Sequence, residues 1–173
     1  MDGFISKPTT RDNITQEIAR LNIVKRDKSS HTVRLASQKT PAMDPRLMML
    51  MDDQPLEHES VERALRDSDW RLESVESGEQ GLKRLKSLTP AIIFVDQNML
   101  ALNGISTIEE IRKRAHLDQT LVFLCTAGNA TSSMVAKLER LDAEYYPKDQ
   151  LWRDKLLPLL NELFGDDQKR LAG

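Results

Sequence analysis

The 173-residue sequence predicts an α/β fold, a doubly wound domain on a five-stranded parallel sheet, preceded by an N-terminal extension. Between residues 46 and 164 short apolar runs alternate five times with segments of helical period. Parallel strands need such crossover helices, which then cover both faces of the sheet. Two of the runs, "AIIFV" at 91–95 and "TLVFLC" at 120–125, are almost continuously apolar, as strands buried on both faces are. Most of the runs also end in a polar or charged residue, and in an open parallel sheet the functional crevice lies beyond the carboxyl ends of the strands.

Each unit has its own justification. "RLMMLM" (46–51) reads as a strand, and "PLEHESVERALRD" (55–67) as a helix whose first turn tolerates Pro55, with Leu56, Ser60, Val61, Ala64 and Leu65 on one face. "WRLESVES" (70–77) alternates like a half-buried strand, and "GEQGLKRLKSL" (78–88) follows as a helix with Leu82 and Leu85 inward. After "AIIFV", "ISTIEEIRKRA" (105–115) aligns Ile105, Ile108 and Ile111. After "TLVFLC", "SSMVAKLERL" (132–141) groups Met134, Val135, Leu138 and Leu141 behind a Ser/Thr cap. A short strand at "EYY" (144–146) precedes "LWRDKLLPLLNELF" (151–164), where Pro158 predicts a kink or restart, since an interior proline removes a hydrogen bond and crowds the turn before it.

Composition excludes several functions. No apolar run approaches the roughly 20 residues of a membrane helix, and the first residues lack a signal peptide's basic and apolar regions. A cytoplasmic protein with no membrane partner is expected. The single cysteine, Cys125, forms no internal disulfide and no Cys-based zinc site, and is expected to be a packed small hydrophobe. His31 and His116 lack ligand-spaced partners, and His58 is expected on a solvated helix face. Residues 1–45 carry net charge +3 and the remainder −5, so the main body does not offer a general nucleic-acid surface.

Function is therefore sought at the strand ends. Asp52 and Asp53 follow the first run, Asp96 the third, Thr126 the fourth and Lys148 the fifth. Three gathered carboxylates repel and call for a proton or a cation. Mg²⁺ suits them, because it takes oxygen ligands, keeps waters, and uses one or two carboxylates beside a phosphate, while no Asp/Asn-rich calcium loop is present. An ionised Asp96 would attack phosphorus, with the Thr126 hydroxyl and Lys148 ammonium holding the remaining phosphoryl charge.

At these residues the sequence resembles the receiver domain of bacterial two-component response regulators. "LMMLMDDQP" looks like that family's first strand and acidic pair, "IIFVDQNMLALNG" its phosphoacceptor loop, "LVFLCTA" its fourth strand and "YYPKDQL" its fifth strand with lysine. The resemblance covers about residues 46–165 and implies a flavodoxin-like strand order 2-1-3-4-5. It implies Asp96 as phosphorylation site, with Asp52, Asp53, Asp96 and the Asn98 backbone carbonyl as Mg²⁺ ligands. Thr126 and Lys148 would contact the phosphoryl group, with Thr126 and Tyr145 as switch residues. The chain departs from the family pattern at Gln54, Leu100, Asn103 and Asp149, none of which removes a reacting group.

The resemblance further implies a regulatory phosphoacceptor rather than an enzyme, charged by a histidine kinase or histidine phosphotransfer protein. It would slowly hydrolyse its own phosphate, act on a downstream protein target without binding nucleic acid itself, and leave homodimerisation on phosphorylation open. A pseudo-receiver that binds partners independently of phosphate is a second class of function, motivated by Leu100, Asn103 and Asp149. A third, an aspartyl phosphatase, would place its nucleophile after the first strand in an Asp-x-Asp pattern, whereas here the acids are adjacent. A flavin site fails because two acids in the first loop repel a phosphate.

Within a segment at residues 1–25, the first 21, opening "MDGFISKPTT", resemble the last strand-helix unit of another receiver, as in tandem-receiver or hybrid histidine kinase proteins, with Lys7 and Pro8 in the lysine-proline positions and Ile14, Ile18 and Leu21 on one stripe; a disordered or loosely docked arm is the alternative reading. Residues 26–45 read as a polar linker. Residues 166–173 form a tail too short for an output domain of ordinary size.

Overall fold

The computed structural model describes residues 40–149 and 152–165. The strand-helix segment expected at 1–25, the linker up to residue 39 and the tail at 166–173 lie outside the described residues. In order, the elements are β1 (Asp44–Met51), α1 (Pro55–Leu65), β2 (Arg71–Val75), α2 (Gly78–Arg84), β3 (Pro90–Asp96), α3 (Gly104–Arg112), a 3-10 turn (Ala115–Leu117), β4 (Leu121–Thr126), α4 (Ser132–Arg140), β5 (Glu144–Pro147) and α5 (Trp152–Phe164). All strand pairs are parallel and the order is β2-β1-β3-β4-β5, as expected. The compact unit Gln38–Pro158 holds the sheet, and residues 159–165, the last six residues of α5 and the one after it, belong to a second unit.

The strands form where β-branched and apolar residues run together, and the central one is the most deeply set: every residue of β3 is buried. Side chains alternate across a strand. Met49, Met51, Ile93, Val95, Val122 and Leu124 therefore share one face, joined there by Leu85 just after α2, by Ile108 and Ile111 of α3, and by Leu138 of α4. The other face carries Phe94 stacked on Phe123 at 5.2 Å between centroids, with Tyr146 edge-on to both at 5.5 and 6.1 Å. Such offset and T-shaped pairs suit the ring quadrupoles.

Three helices begin with a capping side chain, which satisfies an amide left unpaired at a helix start. Ser77 accepts from Gln80 N at 3.2 Å, Asn103 from Ser106 N at 3.0 Å, and Thr131 from Met134 N at 3.2 Å. At the opposite end of the sheet, Arg112 closes several open carbonyls at once. Its Nε donates to Leu141 O at 2.8 Å, Nη1 to Leu117 O at 2.9 Å, and Nη2 to Asp142 O at 2.7 Å and Thr120 O at 3.1 Å. Arg114 and His116 bond the carbonyls of Leu82 and Leu85 in the same way, at 2.5 and 2.8 Å.

Several expectations are corrected. Leu56, placed inward by helical period, is 74% exposed, because it stands in the first turn beyond the edge of the sheet while Val61 and Leu65 take the buried positions. Val135 is also exposed, leaving Met134, Leu138 and Leu141 on the core. α2 ends at Arg84, its last carbonyls taken by turn bonds from Lys86, Ser87 and Leu88. β2, an edge strand, does not alternate cleanly: Arg71 and Ser74 are exposed, Leu72 and Glu73 half-buried, and Val75 buried. α5 does not restart at Pro158 but continues through it; both Pro158 and Asp154, four residues earlier, are exposed, so water reaches the carbonyl that the proline leaves unbonded.

Candidate functional site

Register builds the site. Met51 lies opposite Val95, Asp96 opposite Cys125, and Thr126 opposite Pro147. Asp52, Asp96, Thr126 and Lys148 therefore stand along one edge of four adjacent strands. Main-chain bonds continue just past the strands and hold this edge: Asp52 N donates to Val75 O at 3.0 Å, Gln97 N to Cys125 O at 2.8 Å, and Lys148 N to Thr126 O at 2.9 Å.

Asp52 is wholly buried, Asp96 nearly so and Asp53 half-buried. Each offers a carboxylate oxygen within 4.8 Å of the others. The Lys148 ammonium donates to Asp52 Oδ2 and, at 2.9 Å, to Asp96 Oδ1. Gln54 N donates to Asp52 Oδ1 at 2.9 Å, and Asn98 N to Asp96 Oδ2 at 2.8 Å. The loop bearing the Asn98 carbonyl thus turns about the Asp96 carboxylate itself.

Burial raises the Asp52 pKa above its ordinary 3.8, and the opposing bonds from Lys148 and Gln54 do not cancel it. For Lys148 burial works against the charge, yet its bonds to Asp52 and Asp96 prevail and raise it above 10.5. One ammonium is thus shared between two carboxylates, Asp52 and Asp96, while Asp53 stands close by without it. Fully ionised, the four groups carry net −2, which a divalent cation neutralises. Hard, clustered oxygen donors suit Mg²⁺, which keeps waters and takes phosphate oxygens beside one or two carboxylates.

The remaining expected residues gather on one loop. Thr126 is buried, and its hydroxyl accepts from Gly128 N at 3.4 Å; the Tyr145 hydroxyl donates to Gly128 O at 2.5 Å. Both switch candidates therefore hold the same residue between β4 and α4. Cys125 is buried beside the site and burial pushes its thiol pKa up, so it packs as a neutral side chain.

The departures have local explanations. Asn103 caps α3, work that an aspartate at that position would also do. Leu100 is 81% exposed in the β3–α3 loop, and Ala101 beside it adopts φ 66°, a left-handed conformation that a Cβ disfavours. Asp149 pairs with Lys155 at 2.5 Å, and Gln54 Nε2 reaches Asp53 Oδ1 at 3.2 Å.

Two contributors escaped the sequence. Gly104 lies so close to the site that an added Cβ would meet Asp96 O at 2.6 Å and Leu124 Cδ1 at 2.5 Å; its place at the start of a helix after the loop that follows Asp96 was the available signal. His58, expected on a solvated face, is half-buried with Nε2 at 2.5 Å from Asp52 O. No spacing rule marks a helical histidine that turns back to a carbonyl.

Comparison with known proteins agrees with this geometry. Residues 48–158 match the response regulator receiver domain. The nitrate/nitrite response regulator protein NarL of Escherichia coli K12 is 27% identical over 125 residues, 71% of this chain and 57% of that protein; the chain spans little more than half of that relative's length. Among solved structures, Vibrio cholerae chemotaxis protein CheY4 superposes with TM-score 0.60 at 18% identity, covering 70% of this chain and 97% of that one. The receiver domain of sensor histidine kinase PA1611 from Pseudomonas aeruginosa, with a magnesium ion coordinated in its active site cleft, gives TM-score 0.59 at 23% identity, covering 69% and 98%. At these identities the two structures attest the fold.

Proposed function

The chain belongs to the response regulator receiver family, and from that premise we propose that it accepts a phosphoryl group on Asp96 from a phosphohistidine donor and signals through protein partners. The observation that supports this reading is the convergence of the Asp52, Asp53 and Asp96 carboxylates within 4.8 Å, with Lys148 bonded to Asp96. Bound beside them, Mg²⁺ would supply charge neutralisation for the equatorial phosphoryl oxygens.

The chain's own groups do the rest. An Asp96 carboxylate oxygen forms the new bond to phosphorus as the P–N bond of the donor breaks. The departing imidazole keeps the electron pair and takes up a proton. Lys148, already at Asp96 Oδ1, stays beside the new acyl phosphate, and the buried Thr126 hydroxyl turns from Gly128 N toward a phosphoryl oxygen. That turn frees the loop between β4 and α4, where Tyr145 also bonds Gly128, so new charge biases a two-state element. Attack of water on phosphorus releases inorganic phosphate and restores the carboxylate. In this reading the chain is a regulatory acceptor and not an enzyme for an external substrate, and its donor is a histidine kinase or histidine phosphotransfer protein.

The test is incubation with acetyl phosphate and Mg²⁺, wild type against Asp96→Asn. We expect one hydroxylamine-labile phosphoryl group on the wild type and none on the variant. An unmodified wild type that also ignores beryllofluoride would overturn the reading in favour of a phosphate-independent binding module.

A further inference from the structure

We propose that His58 is a positioning residue for the cation site, acting through the peptide that joins Asp52 to Asp53. The inference rests on the reading of Asp52, Asp53 and Asp96 as cation ligands. A carbonyl oxygen only accepts, so the Nε2 placed 2.5 Å from Asp52 O carries the proton and donates it. The neutral Nε2–H tautomer and the imidazolium both do this, so the role does not depend on titration.

The bond completes the hold on this turn. The Asp52 amide is bonded to Val75 O, and its carboxylate to Gln54 N and Lys148. Those contacts set the first acid but leave the plane of the following peptide free to turn. Asp53 has a weaker hold of its own, from exposed Gln54 Nε2 at 3.2 Å. α1 starts at Pro55 with Gln54 as its N-cap and no side-chain capping bond. His58 supplies a tie from α1 to the turn that a cap would otherwise provide. By holding the Asp52 carbonyl it fixes the direction in which Asp53 leaves the strand, and so keeps both carboxylates on the same side.

Partners that orient a metal ligand typically change affinity about 10-fold or more when removed. The test titrates the full chain with Mn²⁺, reading free ion by its electron paramagnetic resonance, with Mg²⁺ as competitor. His58→Phe keeps a planar ring without a donor; His58→Gln keeps an N–H donor; Asp53→Asn removes a ligand. We expect His58→Phe to weaken binding roughly 10-fold, His58→Gln to recover most of that loss, and both to melt alike in EDTA. Wild-type affinity in His58→Phe while Asp53→Asn binds poorly would overturn the inference and leave the cation site standing. Equal weakening in His58→Phe and His58→Gln, in step with lowered melting temperatures, would reduce His58 to ordinary packing. A wild type that binds no Mn²⁺ would overturn the cation reading and this inference together.

Discussion

Replacing Asp96 with asparagine should stabilise the metal-free protein while removing the proposed phosphoryl acceptor. With one oxygen of each carboxylate within 4.8 Å of the others, Asp96 meets two repulsions of about 3.5 kcal/mol each at an effective dielectric near 20. Lys148 at 2.9 Å returns about 6 kcal/mol on the same scale. The balance is about 1 kcal/mol against the charge, and an asparagine oxygen still accepts from Asn98 N. In EDTA the Asp96→Asn variant should therefore melt roughly 4 °C above wild type by circular dichroism. Saturating Mg²⁺ should close or reverse that gap, since wild type gains about 2.7 kcal/mol at a 100-fold excess over Kd and the variant gains less. A variant that melts below wild type in EDTA would refute the reasoning, because Lys148 would then outweigh the crowding that calls for a cation.

Three further outcomes follow from the same geometry. Ala101→Gly relieves the left-handed φ of 66° at an exposed site and should raise urea stability by about 0.5 kcal/mol, the strain relieved less glycine's larger unfolded-state entropy; a loss would contradict it. Gly104→Ala drives a Cβ against Asp96 O and Leu124, and should cost about 2 kcal/mol and weaken beryllofluoride binding, read by denaturation and by fluoride NMR. Burial raises the Asp52 pKa above 3.8, so its proton and Mg²⁺ compete at a higher pH than at an ordinary aspartate, and Mg²⁺ affinity should fall as pH drops through the raised value. In EDTA the sign reverses for stability: the Asp52 contribution is present below pH 3.8 and is lost as pH rises through its folded-state pKa, which urea titrations across acid pH would show.

The sheet and the acidic row were legible because each depends on local pattern. Ile92 to Val95 cannot be satisfied except between two layers, and polar residues that close such runs must meet at one edge. The positions that went astray depend on where a helix sits relative to the sheet's rim. Leu56 and Val135 fit their helical stripes, yet Leu56 stands in an opening turn and Val135 at the margin of its stripe, where the core no longer reaches. Period reports direction around a helix, not depth beneath it. His58 was missed for a related reason: its partner is a backbone carbonyl, which every residue carries and no sequence displays.

The cluster of carbonyls around Arg112 bears on how a signal could leave the site. Through Leu141 and Asp142 the guanidinium grips the trailing end of α4, and through Leu117 and Thr120 it ties that end to the approach to β4. The leading end of α4 hangs from the loop held by Thr126 and Tyr145 at Gly128. α4 is thus tied at the end away from the acidic cluster, while its other end follows the loop beside it. If that loop shifts as proposed, the displacement would reach an exposed helix at its untied end.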